Sequence, residues 1–417
     1  MPQCVANSGI GTLADGRVTL AGPPAARGVP PLIYLVASVA LFGPLLVSFY
    51  WPAGDGLDVI GYPIGRDFIN NWVGPQLAFG GRLATLFDLS GYHAALGELF
   101  GRPVPFHNWG YPPFTLPVFW LLAQLPYPAA LAVWTFGLFA IFAGITLSQV
   151  EHPNRAAALI ALAFAPACLI NAVGGQNGFL TAALFIGGIL VLDRRPMLAG
   201  VLFGLLTFKP HLGLVLPFVL LALGAWRTIA SATLTALALV AGSVALFGIE
   251  PWRQYVEVTG SYQVRLLEHF EGFYTCMMLS ALAGARTFGL SYPVAMAVQI
   301  AVALPVVGAA CWAVRATRDP ARRAFVLASA APLVTPYAFN YDLTALAAVL
   351  VWQLCRPAPG DFGRRAILFL GWIMPLLAMY LNTYGLGLAP LALVLVLWLA
   401  VRDAAGVPAP LQSAAVR

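Results

Sequence analysis

Lysine is almost missing from this chain of 417 residues, because only one of its 22 basic residues is a lysine and the others are arginines. Charged residues are scarce as a class, at 9% against about 25% in soluble proteins, while 60% of the residues are hydrophobic. This composition excludes an ordinary soluble domain, and the apolar runs are continuous where a β-barrel would alternate. The sequence therefore predicts an all-α polytopic membrane protein with roughly 11–13 transmembrane helices.

Cysteine is also scarce, and the few cysteines have neither the spacing of a metal site nor that of a disulfide framework. The net charge of +6 comes from short arginine clusters between apolar runs, as is typical of topology signals in membrane proteins. We therefore expect no nucleic-acid partner and no resident metal, with the need for a divalent ion in catalysis left open.

The polar segments divide the chain into one membrane domain with two tails. Residues 1–29 predict a disordered cytoplasmic tail, residues 30–402 a single transmembrane domain, and residues 403–417 a short C-terminal tail. Two long polar stretches, 51–110 and 250–288, are expected to be extracytoplasmic loops. Arginine clusters mark the cytoplasmic side, which predicts a multi-pass protein of the bacterial inner membrane with its active site on the periplasmic face.

Counting spans from both termini does not decide how often two segments, 112–149 and 196–225, cross the membrane. Each is interrupted by proline, so one broken span and two separate short segments both remain open. The same count places residues 174–178, 208–211 and 337–342 on the outer side.

The single lysine, Lys209, lies inside an apolar stretch, residues 198–224, beside Pro210 and His211. An ammonium at membrane depth costs roughly 3 kcal/mol on insertion scales, so such a residue marks a candidate functional site. The alternative is a helix-end lysine whose charge reaches the membrane surface along its own aliphatic stem.

Two polar motifs occur in the first outer loop. In GYPIGRDFINNW, Asp67 follows Arg66 shortly after the first span, where a carboxylate can act as a general base and an arginine can bind phosphate. In FHNWGYPPF, His107 and Tyr111 precede prolines that fix where the chain enters the membrane. The alternatives are a solvated loop with a local ion pair and an interfacial aromatic belt, respectively.

Two further motifs interrupt later apolar runs. In VGGQNGF, Gln176 and Asn177 offer donors for sugar hydroxyls or phosphate oxygens, and the glycines allow close approach of backbone or ligand. A tight turn between helices is the alternative. In TPYAFNYD, Asp342 follows Asn340 and Tyr341, and it is either a helix-cap acid or a second active-site carboxylate.

The motifs RDF, YPP, GGQNG, FKP and TPYAFNYD occur in this order, and on them the chain resembles glycosyltransferase family 87. That family includes polyprenol-phosphate-mannose-dependent mannosyltransferases. The resemblance implies a GT-C fold, a large first extracytoplasmic loop, a lipid-linked sugar donor and a catalytic acid in that loop, which corresponds to Asp67. In the last motif, Tyr341 and Asp342 replace a pair of histidines that other members tend to have, so the sugar and the acceptor stay open.

The resemblance further implies a hexosyltransferase that moves a hexose, as a mannosyltransferase does, from a polyprenyl-phosphate sugar to a glycan or glycolipid acceptor with inversion. The residues expected to bind the donor are Arg66, Gln176, Asn177, Lys209 and His211, and further site candidates are His107, Tyr111, Asn340, Tyr341 and Asp342. Two alternatives stand beside it. One is a secondary transporter with an intramembrane lysine–aspartate site, and the other is an envelope polysaccharide ligase or polymerase that uses a diphosphate donor.

Overall fold

The structure is a computed structural model that describes residues 31–355 and 362–406. The predicted N-terminal tail and most of the predicted C-terminal tail lie outside the described residues. The described chain is almost entirely helical, and its α-helices are α1 Pro31–Leu45, α2 Phe68–Phe79, α3 Leu89–Phe100, α4 Thr115–Phe119, α5 Tyr127–Ala132, α6 Leu138–Leu147, α7 Arg155–Ala163, α8 Pro166–Val173, α9 Gly178–Val191, α10 Pro196–Leu205, α11 Leu216–Ala222, α12 Trp226–Phe247, α13 Glu250–Gln254, α14 Ser261–His269, α15 Ala281–Thr287, α16 Tyr292–Ala316, α17 Pro320–Val334, α18 Thr344–Cys355, α19 Phe362–Thr383 and α20 Ala389–Ala405.

Shorter elements join these helices. One antiparallel hairpin follows the first helix, with strands β1 Pro52–Gly54 and β2 Leu57–Asp58. Single π-helical turns are Leu46–Tyr50, Val133–Gly137 and Tyr255–Gly260, and 3₁₀ turns are Leu83–Phe87, Leu122–Gln124, His152–Asn154, Leu206–Phe208, Pro210–Gly213, Phe273–Met277 and Asn340–Leu343.

The predicted class, an all-α polytopic membrane protein, is confirmed. Among the described residues, five helical stretches are long and apolar enough to cross a membrane, and they are Ile33–Tyr50, Tyr127–Leu147, Trp226–Phe247, Tyr292–Ala316 and Phe362–Thr383. The pair α7 and α8, bent by 53°, counts as a sixth if it is one span. This number is lower than the expected 11–13, because the remaining apolar runs form helices that are too short for a full crossing, such as α9, α10 and α11.

The two undecided segments have different structures. In 112–149, only Tyr127–Leu147 is long enough to span, because α4 ends after five residues and Pro126 precedes a new helix. In 196–225, the chain turns back at residues 206–213, between α10 and α11. The segment therefore consists of two short arms joined by the turn that contains Lys209.

Helix α10 packs closely along α12 because two glycines face it. A Cβ atom on Gly200 would lie 2.5 Å from the Cβ of Ser231, and one on Gly204 would lie 2.5 Å from the Cβ of Thr235. Small residues spaced four apart allow helix backbones to approach in membranes. The contacts advance together along both helices, so α10 and α12 run parallel, and the chain that joins them, which includes α11, runs back in the opposite direction.

The arginine-rich end of the bundle lies opposite the end that the site uses. Arg323, near the start of α17, forms a bidentate ion pair with Asp193, just after α9, at 2.9 Å. These two helices are each about 21–23 Å long at 1.5 Å per residue. Their other ends connect to residues 174–178 and 335–343. Both of those segments belong to motifs that the sequence identified.

The glycine contact between α10 and α12 gives a prediction about stability. Gly200→Val places a branched side chain against the backbone of α12, and overpacking of this kind costs about 1–3 kcal/mol. We expect a lower melting temperature for the purified protein in detergent. Gly242→Val, on α12 where an added Cβ meets nothing within 4 Å, is the matched control. Equal melting temperatures for the two variants would contradict the packing described here.

Candidate active site

A cavity of about 470 Å³ lies where the two long polar stretches of the chain meet the helix ends. Residues that line it come from six parts of the chain, within residues 50–70, 106–111, 170–176, 208–211, 255–277 and 337–342. Nine of the eleven site residues expected from the sequence line this cavity: Arg66, Asp67, His107, Tyr111, Gln176, Lys209, His211, Tyr341 and Asp342. The five segments expected on the outer side, 51–110, 174–178, 208–211, 250–288 and 337–342, therefore all contribute to one cavity.

Asp67 is held at the start of α2 by contacts with the glycine-rich motif. Its backbone N–H donates to the carbonyl of Gly174 at 3.2 Å, and the side-chain amide of Gln176 donates to its carboxylate oxygen Oδ2. The side chain is only partly buried and lines the cavity. A carboxylate in this position is oriented by one amide and remains open to a bound molecule.

The glycines of residues 174–178 are needed because two backbones approach the motif. Gly175 has a left-handed φ of 56°, and a Cβ atom there would collide with the carbonyl oxygen of Gly65. On the other side, a Cβ on Gly178 would lie 2.5 Å from the carbonyl oxygen of Tyr341. The motif is a tight turn, as one reading of the sequence predicts, and it also brings Gln176 to Asp67.

The guanidinium of Arg66 makes four contacts within the protein. Its guanidinium forms an ion pair with Asp58 at 2.9 Å and donates to the carbonyl of Phe49. It also stacks over the rings of Tyr50 and Tyr62, at 3.9 and 4.7 Å from the ring centroids. Although Arg66 lines the cavity, these contacts favour a part in fixing the loop beside Asp67 over the expected contact with phosphate.

Asp58 stabilises the loop that follows the hairpin. Its carboxylate accepts from the backbone N–H groups of Ile60 and Tyr62 at 3.1 and 3.0 Å, in addition to Arg66. Within residues 31–355 and 362–406, no group of three or more His, Cys, Asp or Glu side chains is placed to hold a metal ion.

Lys209 is buried against Asp342. The ammonium Nζ lies 2.7 Å from Oδ1 of Asp342 and 4.8 Å from the centroid of the Tyr341 ring. His211 lies beside the same carboxylate, with Nε2 at 3.8 Å from Oδ2, which is too long for a hydrogen bond. The lysine is therefore held inside the protein, and the snorkelling alternative is not supported.

Asp342 acts both as a cap and as a charge partner. Its Oδ2 accepts from the backbone N–H of Phe339 at 3.1 Å, at the start of the 3₁₀ turn between α17 and α18. Burial alone would raise the pKa of this carboxyl, but Lys209 and then His211 outweigh it and lower the pKa to about 2. Asp342 is therefore a cap acid, as one reading of the sequence predicts, and it also lines the cavity.

His107 and Tyr111 form another part of the wall. Nδ1 of His107 lies 2.8 Å from the carbonyl oxygen of Pro105, and the ring packs edge-on against Tyr62. Burial lowers the pKa of His107, although the nearby Asp67 acts in the opposite direction. The hydroxyl of Tyr111 accepts from the side-chain amide of Asn177 at 3.2 Å.

Two expected site residues do not line the cavity. Asn177 lies behind Tyr111 and reaches the site only through that hydrogen bond. Asn340 donates from its side-chain amide to the carbonyl of Pro375 at 3.1 Å, which ties the 3₁₀ turn to α19. Both are buried supports for residues that do face the cavity.

Sequence reasoning missed much of the aromatic lining. Residues that were not proposed and line the cavity include Tyr50, Tyr62, Phe106, Tyr255, Tyr262, Phe273, Tyr274, Tyr337 and Phe339. The aromatic richness of residues 250–286 was visible, but it is equally typical of a segment at the membrane surface. Only the fold shows that the same residues close over the polar motifs.

Comparison with known families agrees with this fold class. The sequence profile of glycosyltransferase family 87 matches residues 109–336, which is more than half of the chain. The class defined by fold and family is a membrane glycosyltransferase. The chain belongs to glycosyltransferase family 87, and the resemblance seen in the motifs is confirmed.

The matched region contains Gln176 and Lys209, begins after Asp67 and ends before Asp342. No match was found to a curated protein or to a solved structure. Because the family consists of enzymes that transfer sugars, the transporter alternative is set aside.

The buried ion pair gives a prediction about stability and its pH dependence. Asp342→Asn leaves the Lys209 ammonium buried without a carboxylate, and loss of one partner of such a pair costs about 3–5 kcal/mol. We expect a clearly lower melting temperature at pH 7. The folded pKa of Asp342 is about 2 and the usual value is 3.8, so its contribution is complete above about pH 4 and disappears as the pH falls through about 2.

The wild type and the variant should therefore converge in acid. Asp55→Asn, at an exposed acid in the turn of the β1–β2 hairpin, is the control and should change little. A variant as stable as the wild type at pH 7, or a difference that does not narrow between pH 4 and 2, would contradict the paired geometry.

Proposed function

We propose that this glycosyltransferase moves a hexose from a polyprenyl-phosphate sugar to a hydroxyl of a glycan or glycolipid, with inversion at the anomeric carbon. The observation that supports this most strongly is that a carboxylate, Asp67, and a buried ammonium, Lys209, line one cavity. Such a site offers a base for the attacking hydroxyl and a cation for the leaving phosphate. The hexose is left open, and mannose is the first one to test.

In the proposed reaction, Asp67 is the general base. Its carboxylate accepts the proton of the acceptor hydroxyl while that oxygen forms a bond to the anomeric carbon. The bond between the anomeric carbon and the phosphate oxygen breaks, and the lipid phosphate leaves with the electron pair. Attack in line with departure inverts the anomeric configuration. The amide of Gln176 fixes the carboxylate so that one oxygen stays directed to the substrate.

The leaving phosphate is proposed to bind beside Lys209 and His211. A fixed cation that stabilises charge developing in the transition state contributes more than one that must reorganise. Lys209 is fixed by Asp342 and by the face of Tyr341. Its ammonium has three donors, so it can keep the ion pair and still donate to a phosphate oxygen.

The remaining expected residues are assigned supporting parts. Arg66 holds the loop beside the base through its contacts with Asp58 and two tyrosine rings. Asn177 orients the hydroxyl of Tyr111, which lines the sugar-binding part of the cavity. Asn340 fixes the turn that contains Asp342.

The site is proposed to face the extracytoplasmic side of a bacterial inner membrane. The pair Arg323–Asp193 and the pair Arg364–Asp403 lie among the arginine clusters that mark the cytoplasmic side. The motif residues lie at the opposite ends of α9 and α17. This arrangement, with the donor lipid reached from the membrane, supports a GT-C type enzyme.

Replacing the proposed base gives a direct test. Asp67→Asn keeps an oxygen for the Gln176 amide but cannot accept the proton, and general base catalysis contributes about 10²- to 10⁴-fold. We expect transfer from a radiolabelled polyprenyl-phosphate hexose to fall by that factor, with an unchanged melting temperature. Asp55→Asn, an exposed acid of the same loop, should retain full activity. Normal transfer by Asp67→Asn would exclude Asp67 as the base.

The proposed phosphate contact is tested by binding. The wild type should bind polyprenyl phosphate more tightly than the corresponding polyprenol, because the ammonium interacts with the phosphate. The double variant Lys209→Gln/Asp342→Asn removes both charges together, so no buried charge is left unpaired. We expect the preference for the phosphate to fall about tenfold or more.

An unchanged preference in the double variant would place the phosphate away from Lys209. In the transfer assay used for Asp67→Asn, a wild type that uses a polyprenyl-diphosphate sugar in preference to the monophosphate would favour the ligase or polymerase alternative.

A further inference from the structure

His107 has an unused hydrogen-bond acceptor in the cavity wall. The side chain is 3% exposed, and Nε2 has no hydrogen-bond partner among the described residues 31–355 and 362–406. A buried polar atom without a partner is destabilising, so native proteins leave few of them and often at functional sites. The position of His107 beside Asp67 in the cavity suggests what supplies the missing partner.

The hydrogen bond on the other side of the ring determines which kind of partner is needed. Nδ1 lies 2.8 Å from the carbonyl oxygen of Pro105, and a carbonyl can only accept. Nδ1 must therefore bear the hydrogen, and in the neutral ring Nε2 has a lone pair and accepts. Burial favours the neutral ring by lowering the pKa of His107.

The ring is also held in place. Tyr62 packs edge-on against it, with ring centroids 5.5 Å apart, and the ring of Tyr62 also contacts the guanidinium of Arg66. Arg66 is in turn fixed by Asp58. An acceptor held by this sequence of contacts can select between ligands, because it does not move to find another partner.

We propose that Nε2 of His107 accepts a hydrogen bond from one hydroxyl of the sugar bound next to Asp67, and that His107 thereby determines sugar specificity. This inference rests on the proposed function. A site built to bind a hydroxyl discriminates strongly against the analogue that lacks it, because the acceptor is then left without a partner. The hydroxyl belongs either to the transferred hexose or to the acceptor sugar, since both reach the base.

The experiment compares complete and deoxy sugars in full-length protein in nanodiscs. Polyprenyl-phosphate mannose, glucose and galactose are tested first as donors with octyl mannoside as acceptor. The hexose that is transferred is then replaced by its single-deoxy analogues, first on the donor and then on the acceptor. We expect one deoxy analogue to lower kcat/KM by roughly 10- to 100-fold in the wild type.

Two variants of His107 separate recognition from a structural effect. His107→Phe keeps a ring against Tyr62 but has no acceptor, so it should use the complete sugar and that deoxy analogue equally. His107→Gln keeps an acceptor oxygen near the position of Nε2 and should retain part of the discrimination. His93→Phe changes a histidine outside the cavity lining and should discriminate as the wild type does. Melting temperatures show whether each variant is folded.

The outcomes distinguish this inference from the function on which it rests. If no hexose is transferred from any donor, both the proposed function and the inference fail. If transfer occurs but wild type and His107→Phe discriminate to the same extent against every deoxy analogue, only the inference fails. If discrimination is lost in His107→Phe and partly kept in His107→Gln, the inference holds. Whether the effect occurs with deoxy donors or with deoxy acceptors then identifies which sugar His107 binds.

Discussion

The site depends on a close backbone contact that only residues without side chains allow. Gly175 meets the carbonyl of Gly65, and Gly178 meets the carbonyl of Tyr341, so one turn contacts the segments that contain both acids of the cavity. The indole N–H of Trp134 donates to two carbonyls of this turn at 3.1 Å and fixes it from behind. The positions of Asp67 and of Asp342 with its partner Lys209 therefore follow from the packing of a turn between helices.

The two acids of the cavity have different environments, and this difference supports their different assignments. Asp342 is buried and paired with Lys209 at 2.7 Å, so it is ionised and occupied by the protein itself. Asp67 is partly exposed to the cavity, and its carboxylate accepts a hydrogen bond from the side-chain amide of Gln176, whereas Asp342 pairs with a cation. A general base needs an oxygen that is free to accept a proton, and both oxygens of Asp342 are already engaged, so of the two acids Asp67 is the one that we propose as the base.

The sequence predicted the membrane class and the acids, bases and histidines that line the cavity, because charges are costly in an apolar chain and therefore conspicuous there. It did not predict the partners. The pairing of Asp58 with Arg66 depends on a tight hairpin, and the burial of Lys209 depends on a reversal of direction that proline alone does not define. The aromatic residues of the cavity could not be predicted, because tyrosine at a membrane surface and tyrosine over a substrate have the same pattern in sequence.

The central claim is that one cavity binds the sugar at Asp67 and the phosphate at Lys209. An electron cryomicroscopy structure of the full-length protein in nanodiscs, with a polyprenyl phosphonate-linked hexose that cannot be cleaved, tests it most directly. We expect the anomeric carbon next to the Asp67 carboxylate and the phosphonate within hydrogen-bond distance of the Lys209 ammonium. A phosphonate bound elsewhere, for example beside Arg323 at the other end of the bundle, would contradict the account.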